Sequence, residues 1–103
     1  MPELLVQFDE PVSDPRGAMY FAKAVGIQRE DGLWEGWLEF IGPDESARSI
    51  SSGRETTQPN RADLEYWAQG LSIIYLQGAL ARAKSADEAT PEDRVAREDS
   101  PYA

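Results

Sequence analysis

Glu35 and Glu39, four residues apart in WEGWLEF, are the nearest this sequence comes to a pair of catalytic carboxylates. A carboxyl group buried near another can carry a raised pKa and act as a general acid. The segment reads as a strand, however, in which four residues span roughly 13 Å at about 3.3 Å each. Paired carboxyls of glycosidases stand roughly 5–9.5 Å apart, so these two are too distant to share one reaction. The chain has no His and no Cys, which removes the familiar triads, thiolate nucleophiles and His or Cys metal centres. Asp9, Glu10 and Asp14 crowd into DEPVSDPRG, but the ligand run and internal Gly of a calcium loop are missing. No Gly-rich phosphate loop is present either. The residues point away from an enzyme and call for no metal or cofactor.

The remaining residue types suit binding. Two runs, Ala18–Gln28 and Leu33–Ile41, flank Asp31-Gly32, a strong signal for a two-residue hairpin loop. With Glu30 opposite Leu33, Val25 faces Leu38 and Lys23 faces Phe40. One face then gathers Met19, Phe21, Val25, Ile27, Trp34, Leu38 and Phe40, and this bulky face is the expected core. The other gathers Tyr20, Ala22, Ala24, Gly26, Glu35, Trp37, Glu39 and Ile41. There Trp37 either covers the strand backbone at Gly26 or joins Tyr20 as an anchor for a ligand or partner. Glu35 and Glu39 supply the polar contacts in the second case.

The elements that must position these faces follow from local pattern. Glu3 to Asp9 alternates, with Leu4, Val6 and Phe8 on one side and Leu5 on the other, as a strand does. The prolines and glycine of the following stretch predict a loop. Ala47 to Thr57, rich in Ser and Thr, predicts a fourth, edge strand. The polar GRETTQPN then turns the chain into a helix, its residues serving as turn and cap or as an anion-binding loop.

From Asn60 to Lys84 the sequence predicts one long helix. Asn60 caps it, Asp63 completes a capping box, and Pro59 and Leu64 form a hydrophobic staple. Gly70 and Gly78 each cost about 0.8–1 kcal/mol relative to Ala inside it. Leu64, Trp67, Leu71, Ile74, Gly78 and Ala81 form one apolar stripe. Tyr66, Gln69, Ile73, Leu76, Leu80 and Ala83 form a second, on nearly the opposite side. A surface helix ordinarily has one such stripe. Either is apolar enough to meet the sheet, and the Trp67/Leu71/Ile74 stripe is expected to do so.

The fold class expected is α+β: an antiparallel β-meander of three to four strands against one long C-terminal helix. Residues 1–84 form a single domain, and 85–103, almost without large apolar residues, a disordered acidic tail. Acidic residues outnumber basic ones 19 to 10, a net charge of −9. That balance disfavours nucleic acid and anionic membranes and favours a basic partner. No run is long enough to span a bilayer, MPELLVQFDEP lacks the basic region and long apolar stretch expected of a secretory signal, and the lack of Cys fits a cytoplasmic protein.

The strand–strand–strand–helix order around YFAKAVGIQREDGLWEGWLEF looks like that of the HicB antitoxin fold. Phe40 to Glu45 does not match that family's proline-rich signature, no DNA-binding segment follows, and no residue roles are carried over. The function expected is a non-catalytic association module, a homodimer or an accessory subunit of a larger complex. Tyr66, Gln69, Ile73, Leu76 and Leu80 would form the interface. The alternatives are a small acidic, antitoxin-like regulator of a basic protein, or ligand binding on the face of Tyr20, Glu35, Trp37 and Glu39.

Overall fold

A computed structural model describes residues 1–42 and 49–88. The chain is α+β, with strands β1 (Glu3–Gln7), β2 (Val12–Ser13), β3 (Met19–Gln28), β4 (Trp34–Ile41) and β5 (Ile50–Gln58). Two helices follow, α1 (Arg61–Gln69) and α2 (Ile73–Glu88). The sheet is antiparallel in the order β1-β3-β4-β5, and β2 pairs with the start of β3. Both helices pack on one face, around a core that includes Leu38, Phe40, Leu76 and Leu80. No helix among the described residues is long and apolar enough to cross a membrane.

The β3–β4 hairpin corrects the expected register. Arg29, not Glu30, pairs with Leu33: the Arg29 N–H donates to the Leu33 carbonyl at 2.7 Å. The Gly32 N–H donates to the Arg29 carbonyl at 3.0 Å, and Gly32 takes φ +92°. The loop therefore holds three residues, Glu30 to Gly32, with the last in the left-handed region. One extra loop residue slides the strands by one and inverts the face of one relative to the other. Ala24 now lies opposite Leu38, Ala22 opposite Phe40, and Val25 opposite Trp37.

The core face therefore combines Tyr20, Ala22, Ala24 and Gly26 of β3 with Gly36, Leu38 and Phe40 of β4. The assignment of Leu38 and Phe40 to the core holds. Met19, Phe21, Val25 and Ile27 belong to the opposite face. Small β3 residues beside large β4 ones leave room for helices to come close.

β1 carries a bulge between Leu4 and Val6. The extra residue turns Leu5 inward, so Leu5, Val6 and Phe8 all pack against the core while Leu4 pairs with Val25 on the outer face. The stretch expected to be only a loop contains β2, whose Val12 is fully buried. β5 confirms the fourth strand from Ile50 onward; Ala47 and Arg48 lie outside the described residues.

The long helix is two helices. Gly70 ends α1, its N–H bonding to the carbonyls of Tyr66 and Trp67 at 3.2 Å each. Ser72 starts α2: its Oγ accepts from the Tyr75 N–H at 3.2 Å and its carbonyl from the Leu76 N–H at 3.0 Å. That hydroxyl fills a donor otherwise left open at a helix start. The non-helical step at Leu71 and Ser72 resets the helical phase. α1 then buries Leu64 and Ala68 from one flank, while α2 buries Leu76, Ala79, Leu80 and Ala83 from the other. α2 runs on to Glu88, beyond the expected end at Lys84; the rest of the acidic tail lies outside the described residues.

Candidate functional site

The residues expected to form a helix interface do not share a surface. Leu76 and Leu80 are 2% and 0% exposed, packed under α2 within the same protomer. Tyr66 on α1 is 80% exposed, Gln69 is exposed, and Ile73 stands at the start of α2 at 36%. The single helix that would have aligned them is broken at Gly70–Ser72. Two apolar stripes on one helix need two covers; one stripe on each of two helices needs only one sheet.

Tyr20 and Trp37 are also separated. Tyr20 is on the core face, buried beneath α2, where Lys84 Nζ donates to its hydroxyl at 3.1 Å. Trp37 is on the outer face, directly opposite Val25 in β3 and Arg54 in β5. It does not cover Gly26; Leu64 does.

The outer face is the one large surface that no described element covers. Leu4, Val25, Trp37 and Arg54 cross it in a row, and Phe21 stands opposite Ile41. Leu4, Met19, Phe21 and Ile41 are 54%, 43%, 49% and 42% exposed. Val25, flanked by the larger Leu4 and Trp37, is only 5% exposed.

Charges pair within this face. Lys23 Nζ lies 3.7 Å from Glu39 Oε1, and Arg54 Nη1 lies 3.6 Å from Glu35 Oε1. Trp37 Nε1 donates to Glu39 Oε2 at 3.3 Å. Glu35 and Glu39 are thus held by cations and an indole, and each β4 carboxylate has a partner on a neighbouring strand.

Two polar clusters brace the helix side. Asp14 Oδ1 accepts from the N–H groups of Arg16 and Ala18 at 2.9 and 2.8 Å, and Oδ2 lies 3.5 Å from Lys84 Nζ. Desolvation, the largest single effect, pushes the Asp14 pKa up. The bonds from Ala18 and Arg16, together with Lys84, outweigh it and leave the carboxyl below its ordinary value. Lys84 is raised, first by its bond to Tyr20 and then by Asp14, against its own desolvation.

In the second cluster, Glu55 Oε1 accepts from the Tyr75 hydroxyl and from Arg82 Nη2, the latter at 2.9 Å. Burial raises the Tyr75 pKa, and Glu55 adds to the rise. Both clusters join α2 to the sheet side and serve as struts. Among the described residues no group of three or more His, Cys, Asp or Glu side chains could hold a metal ion.

The sequence carries a signal for the outer face in the alternation of β3. Phe21, Val25 and Ile27 alternate on one side of β3, and in the observed register that side carries Trp37 and Ile41. No family model, curated protein or solved structure matches this chain.

Proposed function

We propose that this protein is a non-catalytic association module that pairs with a second copy of itself through the outer face of its sheet. The observation that carries the reading is the Phe21–Ile41 pair, about half exposed at one end of the two central strands, on a face that no described element covers. Large apolar groups clustered in this way on a sheet are a signature of a contact surface.

Size and charge favour a copy as the occupant. The four strands hold 5, 10, 8 and 9 residues, each residue about 3.3 Å long in a lane about 4.8 Å wide. The projected area of roughly 500 Å² grows with side-chain relief towards the roughly 800 Å² per partner of a standard interface. The chain as a whole carries −9, yet Lys23 and Arg54 balance Glu35 and Glu39 here. A two-fold axis brings the same patch against itself, and a patch with both signs can place each cation near a carboxylate of its copy.

Light scattering tests this. The expected mass is twice the 11.5 kDa of one chain, returning to one chain in Phe21→Glu with unchanged circular dichroism. A wild type that remains monomeric up to about 1 mM, where association stronger than about −4 kcal/mol would show, overturns the reading.

A further inference from the structure

A second surface lies on the helix side, away from the outer sheet face. Phe8, Asp9, Glu10, Leu71, Ile73 and Leu76 enclose a notch of about 250 Å³ between the β1–β2 connection and the start of α2. We infer that this notch receives an apolar side chain from a basic segment of another protein. The inference is independent of pairing across the sheet.

The notch has an apolar floor and a split rim. Leu76 at its base is 2% exposed, and Phe8 and Leu71 are half-buried. Ile73, 36% exposed, forms one lip. Asp9 and Glu10, both exposed, form the other. The space is smaller than the roughly 300–1,000 Å³ of small-molecule and cofactor sites. It suits one or two side chains of a peptide.

Charge selects the occupant. Glu3, Glu35, Glu39, Glu55 and Glu65 each have an ion pair with Lys or Arg. Asp9 and Glu10 have none among the described residues. With 19 acidic residues against 10 basic ones, the chain itself is short of cations to match them. Lysines or arginines flanking an inserted Leu or Phe would meet these two carboxylates while the apolar side chain meets Ile73 and Leu76. Such pairing guides encounter and fixes orientation, while the apolar anchor supplies the hold.

The test uses the full chain and a fluorescein-labelled hexapeptide with Leu-Phe between two pairs of lysines. Fluorescence polarisation is followed at about 20 and 200 mM salt, conditions that separate screened from buried contributions. Saturable binding is expected. It should weaken at least about fivefold in Asp9→Asn/Glu10→Gln and independently in Ile73→Ser, while a peptide with Gly-Ser between the lysines should lose saturable binding.

Two-dimensional NMR of the same titration should move the amides of Leu71 and Ile73 and leave the Trp37 indole N–H in place. Thermal unfolding of each variant separates lost binding from lost structure, and the two variants alter different lips of the notch. The inference is overturned by no saturation up to about 1 mM, by equal binding of the Gly-Ser peptide, by unchanged binding in both folded variants, or by shifts centred on Trp37. The last pattern would place the peptide on the sheet face instead, and a monomeric wild type would leave every one of these readouts intact.

Discussion

Gly26 and Gly36 stand directly opposite each other in β3 and β4, and Leu64 of α1 lies over the gap they share. Leu64 is fully buried there. Two glycines side by side make a shallow seat in a sheet that would otherwise present side chains. The Asn60 cap, whose Oδ1 accepts from the Asp63 N–H, starts α1; the glycine seat decides where it rests.

A methyl group on Gly36 would lie 2.7 Å from Leu64 Cδ1 and 2.9 Å from Trp67 Cζ3. Gly36→Ala should therefore destabilise by about 1–3 kcal/mol despite the better strand propensity of Ala, because the added atom overpacks a closed site. Leu64→Ala alone should cost about 2–5 kcal/mol. The double variant should cost less than the sum of the two, since removing the Leu64 side chain frees space for the methyl. Chemical denaturation of all four forms measures the coupling, and strict additivity would mean that Leu64 is not what closes the seat.

α2 depends on a different local device. Ser72→Ala removes the side-chain acceptor of the Tyr75 N–H and should cost about 1 kcal/mol. Gly70→Ala should be tolerated, because Gly70 has φ −89° and a methyl there meets nothing closer than 3.7 Å. If the break at Gly70–Ser72 were instead an incidental kink, Ser72→Ala would leave stability unchanged and raise helix content by circular dichroism.

Alternation, caps and composition made five features legible from the residues alone: β1, β3, β4, the start of α1 and the Ser- and Thr-rich β5. Among the features that were not, two set the arrangement of the core, and each turned on a local choice. Asp31-Gly32 fits a two-residue or a three-residue loop equally well, and the choice sets the face of every residue in β3 relative to β4. Ser72 is an ordinary residue inside a helix and a strong one at its start. Only packing decides between these, because the break lets Leu76 and Leu80 reach the same sheet that Leu64 already covers. The outer face was obscured by the same register step, which had placed Trp37 beside Tyr20 and moved Phe21 into the core.

Acid should weaken the fold through Asp14. Its pKa is lowered in the folded protein, so its contribution is present above the ordinary value of 3.8 and is lost as pH falls through the folded value. Asn at this position keeps an oxygen for the N–H groups of Arg16 and Ala18 but loses the attraction of Lys84. Melting temperature followed from pH 6 downward should therefore fall less steeply in Asp14→Asn than in the wild type. Lys84 has the opposite sign: raised in the fold, it contributes below 10.5 and the contribution is lost as pH rises through the folded value. Lys84→Met should flatten the alkaline limb. Parallel acid limbs for wild type and Asp14→Asn would remove Asp14 from the account.

Glu55 is the sharpest case of a residue whose role lies in what it joins. Its side chain is 8% exposed and holds both Tyr75 and Arg82, which are seven residues apart on α2. A buried carboxylate stripped of a donor keeps its desolvation cost. Tyr75→Phe should accordingly cost about 1.5–3 kcal/mol, as expected for a hydrogen bond to a charged group. In a Glu55→Gln background the same change should cost less, because the neutral amide no longer leaves a charge unmatched. The double-mutant cycle should thus return a coupling of about 1 kcal/mol or more. Tyr75 is also raised in the fold, so this contribution persists below its ordinary value of 10.0 and is lost as pH rises through the folded value. A coupling near zero, with Tyr75→Phe equally costly in both backgrounds, would mean that Tyr75 matters here only for its packing.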